Sequence, residues 1–464
     1  MKAVGGSIVL LFAFFCGFAH AQQPRTSSLS PSFFGSISQG VPTGTTIQLT
    51  IADAIDRALR YNLGVVIGEQ ESRIARAERV RALSELLPKV NAEVTETTQQ
   101  ISLAAFGFTG FPGVRPVIGP FSVFDARARY SHLVMDFRYL HELRAASERV
   151  AASNYALQDV RDLIVLITTD LYLDAVAGNS RVEAARAQLR TAQAVYDRAR
   201  NLKDSGVVAG IDVLRAQVQL QAAQQRVVAV ENDFAKQKLN IARAIGLPQG
   251  QDFVQTDALV TAVAPITTLE QALDLALSSR ADYRRASSLI HAAEESRKAA
   301  VGRRMPSFEV NADYGDIGRT PGNSHGTMFV QGTLNVPIYT GERARAEILE
   351  SDALIEQRKA EASNLRDRIE YEIRTANLDI RAASDQAQVA QAARDLAQQQ
   401  LTQAQDRFVA GVANGLEVTQ AQEAVVTADE NYISSLYGLN VAETALARAT
   451  GSAEKTIKSI FGGK

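Results

Sequence analysis

Three places in this 464-residue chain set side chains at spacings that do chemistry elsewhere. Ser452-Ala-Glu-Lys455 has the S-x-x-K spacing of an acylating serine, but no S-D-N or K-T-G accompanies it. His141-Glu142 opens like a zinc-binding H-E-x-x-H, but Ala145 occupies the second histidine position. The five histidines are too scattered for a metal cluster, and neither G-x-G-x-x-G nor a P-loop occurs. The third place is a pair of acids, Asp212 and Glu417, each just after two glycines. Like charges brought close together repel one another and attract cations, so copies of such acids around an opening would select and gate. In the simpler reading they are first-turn acids favoured by a helix dipole. No constellation for catalysis, cofactor or metal emerges, and the chain reads as no enzyme.

The elements that would carry those acids come from composition and repetition. Lys and Arg number 49 against 51 Asp and Glu, which removes the electrostatic driver for nucleic-acid binding. Aromatics are 6% and Trp is absent, a balance that favours long helices over one compact core. Lys2, the apolar run Ile8–Phe18 and Ala19-His20-Ala21 form a cleaved-signal pattern over residues 1–21, which contains the single Cys16. No later apolar run is long enough for a spanning helix. Residues 22–48, rich in Ser, Pro, Gly and Thr, read as a flexible leader.

The rest says the same thing twice. Thr50–Leu59 matches Thr268–Leu277, and Pro88 and Pro306 keep that offset of 218 residues (306 − 88). Gly206–Gln217 matches Gly411–Gln422 at an offset of 205 (411 − 206). The halves are 49–248 and 267–453, with a linker at 249–266 and a polar tail at 454–464. After the paired glycines the period is heptad: Val213, Ala216, Leu220, Ala223 and Val227 in one half, Val418, Ala421, Val425, Ala428 and Tyr432 in the other. Such a seam needs a partner helix, supplied by the runs from about Leu140 to Leu202 and Arg343 to Phe408. Each run of some 60 residues makes a rod of roughly 90 Å, and the glycines close two helical hairpins.

Elsewhere the period drops to two. Strands are predicted near 89–99, 122–136, 307–314 and 327–338, each with an apolar and a polar face. Leu133, Met135 and Phe137 fall out of the phase set by Phe124 to Tyr130, which a bulge would explain. Strands of about ten residues fit a membrane barrel wall, and a soluble sheet packed on helices fits the alternation equally well. A barrel needs at least eight strands, so four per chain would have to close with other copies. The alternative is a soluble periplasmic coiled-coil scaffold or adaptor.

The joint order of these features resembles the TolC-type outer-membrane efflux proteins, over nearly all of the mature sequence. The duplicated Thr-x-x-x-Ala-x-x-x-Ala-Leu starts, Pro88 and Pro306, and above all Arg407-Phe-Val-Ala-Gly-Val-Ala-Asn-Gly-Leu-Glu-Val418 carry the likeness. The resemblance implies a mainly α fold with a β-barrel part: long helical hairpins plus four transmembrane strands per chain, closing as a trimeric twelve-stranded barrel. It implies a passive duct in the outer-membrane lipid, its helical part in the periplasm. A periplasmic adaptor and an inner-membrane pump would be its partners, with no cofactor. Docking would fall on the tip residues Gly206, Val207, Val208, Gly210, Arg407, Gly411, Val412, Gly415 and Leu416, and the aperture on Asp212, Phe408 and Glu417. The chain departs from well-known members at Phe408 (tyrosine there), Ala413 (arginine) and Gln420 (aspartate). Phe408 has no hydroxyl to latch a closed tip, so apolar packing would have to replace it.

Overall fold

The computed structural model describes residues 33, 35–108, 113, 115–259, 268–413 and 415–461. The segment read as a cleaved signal lies outside the described residues. The first half runs β1 (Ile47–Leu49), α1 (Ile51–Tyr61), α2 (Leu63–Ser84), β2 (Lys89–Ser102), β3 (Val117–Met135), α3 (Phe137–Asp204) and α4 (Gly210–Ile245). The second runs β4 (Phe253–Gln255), α5 (Leu269–Ser279), α6 (Ala281–Gly302), β5 (Ser307–Gly318), β6 (Ser324–Asn335), α7 (Arg343–Val409), α8 (Gly415–Ala449) and α9 (Ala453–Phe461).

Local chemistry explains the duplicated motifs. Thr50 caps α1 in a capping box with Asp53, and Thr268 caps α5 by accepting from the Gln271 N–H. Pro88 and Pro306 directly precede β2 and β5, marking the change from helix to strand. Asp136 caps α3, whose 68 residues make a rod of about 100 Å. The predicted seams lie inward: Ala216 and Leu220 of α4 and Val418, Ala421, Val425 and Ala428 of α8 are buried.

The four long strands form one antiparallel sheet in the order β2-β3-β5-β6. A register shift between Leu133 and Met135 puts a bulge where the apolar phase slips. The sheet leads into a helical wall in which α3 packs on both α2 and α6, and α7 on α6. Below, α3–α4 and α7–α8 are the two hairpins, joined by contacts of α8 with α3.

Three expectations need correcting. As far as Phe461, the predicted tail is not a polar appendage: α9 buries Ala453, Ile457 and Phe461 in the main core beside α1 and α3. Their i, i+4, i+8 spacing is a one-residue-wide stripe that the intervening Lys, Ser and Thr residues hide. Nor is the leader wholly flexible. Ile37 N–H donates to Tyr61 O (2.8 Å), Gln39 N–H to Gly246 O (3.2 Å) and Thr43 N–H to Gln251 Oε1 (2.9 Å), strapping it to the first half and to the segment that follows α4. The described part of the predicted linker, 249–259, is likewise structured, because β4 pairs in parallel with β1 and Phe253 is buried.

Candidate channel wall and hairpin tips

Strand register turns the alternation into two faces. Val90, Tyr130, Ala312 and Val330 line up across the sheet, and the next row is Ala92, Ala128, Tyr314 and Met328. Val90, Met328 and Val330 are 72%, 77% and 70% exposed, so this apolar face covers nothing in its own chain. The opposite face aligns Asn91, Arg129 and Asp313, then Glu93 and Arg127. There Arg127 bridges Asp125 (2.7 Å) and Asp313 (2.9 Å), and Arg129 pairs with Glu93. One sheet thus carries an apolar face and a face of charged pairs.

Among the described residues both edges are open: β2 and β6 each have one neighbour. The helical wall ends in the same way. Val218, Val228 and Leu239 of α4, and Leu378, Val389 and Leu396 of α7, are exposed stripes on the two outer helices. Among the described residues no helix is long and apolar enough to cross a membrane, and no group of three or more ligating side chains is placed to hold a metal ion. The serine and histidine of the opening motifs do structural work. Ser452 Oγ bonds Thr450 and Thr456, and His141 Nδ1 lies 2.7 Å from Glu295 Oε2 between α3 and α6.

The tips repeat each other. Gly206 and Gly411 sit at φ 74° and 71°, a left-handed conformation that glycine adopts without a Cβ clash. In both turns the next residue's N–H reaches back: Val207 to Leu202 O (2.9 Å) and Val412 to Arg407 O (3.0 Å). Val207, Val412 and Leu416 are exposed, while Val208 packs inward. Gly210 opens α4, and Gly415 opens α8 against Asp212, whose Oδ1 would lie 3.0 Å from a Cβ there. Asn414 lies outside the described residues. The two acids each have a cation in their own chain: Arg215 for Asp212 (3.3 Å) and Arg407 for Glu417 (3.1 Å). Phe408 is 3% exposed, packed with Ala199, Ala216, Ala404, Val418 and Ala421.

Above the tips runs a polar seam between α3 and α8 that sequence reading missed. Asp159 pairs with Arg448, and Thr444 Oγ1 donates to Asp170 Oδ1 at 3.4 Å. Burial pushes the Asp170 carboxyl up to about 6, and that of Asp162 to about 6 despite the nearby Arg448. A second latch follows the repeat. Asn62 donates to Ala244 O (3.3 Å), and Arg280, at the matching position, to Ala449 O (3.2 Å).

The sequence model of the outer membrane efflux protein family matches residues 54–247 and 272–452. The chain belongs to that family. The soluble-scaffold reading falls with it, for the family comprises outer-membrane channel proteins with a helical part in the periplasm. The toluene efflux pump outer membrane protein TtgF of Pseudomonas putida is 25% identical over 389 residues, which is 81% of this chain and 78% of that protein. Among solved structures, the open-state outer membrane channel MtrE of Neisseria gonorrhoeae superposes with TM-score 0.75 at 16% identity, covering 90% of this chain and 94% of that one. The outer membrane protein VceC of Vibrio cholerae gives 0.73 at 17%, covering 86% and 96%. This outer membrane efflux protein therefore shares its fold, over most of its length, with channels of low sequence identity.

Proposed function

We propose that the protein is the outer-membrane duct of a tripartite efflux or secretion system, conducting substrates passively to the exterior. Three copies close a twelve-stranded barrel, with the face of Val90, Met328 and Val330 toward lipid and the Arg127 face lining the lumen. The observation that carries the reading is the two-faced sheet with both edges open. An open edge in lipid leaves unpaired backbone groups, each costing several kcal/mol, so β6 of one copy must pair with β2 of the next. Such a head-to-tail contact either closes as a ring or grows as a filament, and the apolar stripes on α4 and α7 give the helical wall a matching pair of edges. The tips, Gly206–Asp212 and Gly411–Glu417, then face the periplasm, frame the aperture and meet the adaptor, with energy supplied by an inner-membrane pump. The purified oligomer added to planar lipid bilayers in KCl should give discrete conductance steps. Folded oligomer that inserts without conducting would overturn the duct.

A further inference from the structure

Resting on the duct reading, we infer that the chain meets lipid below its strands as well as along them. The segment Val336–Tyr339, between β6 and α7, lies in the periplasmic phospholipid leaflet, with Ile338 among the acyl chains and Tyr339 at the headgroups. Ile338 is 96% exposed and Tyr339 82%, the two most exposed large hydrophobic side chains among the described residues. They follow directly on β6, whose outward residues Met328, Val330 and Leu334 are exposed too.

The height of the apolar face calls for this segment. On β5 the face runs from Phe308 to Tyr314 and stops at Asp316, and on β2 it stops at Glu96. Phe308 pairs with Leu334 and Tyr314 with Met328, so β6 spans the same height. At about 3.4 Å per residue and a tilt of about 40°, that stretch gives about 16 Å of height. The lipid-facing band of a membrane barrel is about 25 Å tall, so about 9 Å is left to cover. Carboxylates close the band above. Below, Val336 to Ile338 carry apolar surface down by about 13 Å of chain from Leu334, enough to complete it. Acyl chains take Ile338 out of water, and a tyrosine suits the boundary because its ring is apolar and its hydroxyl is wet.

The first turn of α7 supplies a matching charge. Arg303 and Glu347 line a hollow together with Glu85, which pairs with Lys89 of the polar sheet face, so that side of the helices continues the polar face. Arg343 turns toward it and bonds Glu347 (3.2 Å). Arg345, two residues on and about 200° round the helix, points to the other side. Its side chain is 70% exposed, and its ion pair with Glu342 (3.4 Å) is of the exposed kind that contributes little. A headgroup phosphate beneath Tyr339 is the anion that fits it.

The chain has no tryptophan, so one introduced indole reports its own surroundings. The Ile338→Trp oligomer is reconstituted into phosphatidylcholine vesicles brominated on the acyl chains, either near the headgroup or near the bilayer centre, with unbrominated vesicles as reference. Val330→Trp, on the outward face of β6, is the lipid control. Emission of the Ile338→Trp protein should fall most with bromine near the headgroup, and aqueous acrylamide should barely touch it. Quenching by acrylamide with none by bromine would place the segment in water. Protection from both would place it against a neighbouring copy. Either result, with Val330→Trp still quenched by bromine, overturns the inference and leaves the duct standing. Val330→Trp untouched by bromine defeats the lipid-facing sheet, and this inference with it. If Ile338→Trp does not assemble, Tyr339→Trp takes its place and the same outcomes decide.

Discussion

Removing the Phe408 ring probes how the closed tip is held. Its buried neighbours are four alanines and Val418, short side chains that cannot reach into the space a missing ring would leave. Phe408→Ala therefore belongs near the middle or upper part of the range for buried phenylalanines, about 4 kcal/mol. The loss is local to the tip, so it appears as easier opening of the last turns, while the long helices stay folded. At about 1.4 kcal/mol per decade, it raises the open population about a thousandfold. Amide exchange of the purified oligomer reads this at the first turns of α4 and α8, with the α3–α8 seam around Asp170 as internal control. In a sensitive host, uptake of vancomycin-sized drugs should rise in parallel. Tip exchange and uptake both equal to wild type would refute an apolar latch at Phe408.

Asp170→Asn should stabilise the protein in a pH-dependent way. The folded carboxyl is raised to about 6 from 3.8, so the native state holds its proton longer and stability falls as pH rises through that window. Two units correspond to about 3 kcal/mol, so the melting temperature should rise at neutral pH, and the rise should shrink as pH falls and vanish below the ordinary carboxylate value of 3.8. On the sheet, Val330→Arg should cost about 2–4 kcal/mol and cut the yield of assembled oligomer, whereas Gln331→Arg on the other face should be tolerated. Ile457→Ala should cost about 2–5 kcal/mol and expose α9 to protease, whereas a true polar tail would show no change.

The features legible in the sequence are those written into local spacing. Glycine pairs mark the tips, the heptad of Val418 to Tyr432 marks the seam, and alternation marks both faces of the sheet. The bulge at Leu133–Met135 announced itself because one extra residue reverses the phase. What escaped depends on partners far along the chain. Thr444 and Asp170 are 274 residues apart, and nothing near either signals the contact. The leader's strap is largely made of backbone N–H groups, which leave little side-chain signature. The burial of Phe408 was legible only as a missing hydroxyl, because its surroundings depend on how one hairpin lies against the other. Asp212 and Glu417 read as bare acids, since their arginine partners follow from helix geometry at the turn.

The central claim is that four strands with open edges are completed by other copies of the same chain. The native mass of the protein extracted from outer membranes in mild detergent tests it most directly. The account predicts a mass of three chains of about 50 kDa each, closing twelve strands. A monomer in every detergent, folded and with both sheet edges unpaired, would contradict it.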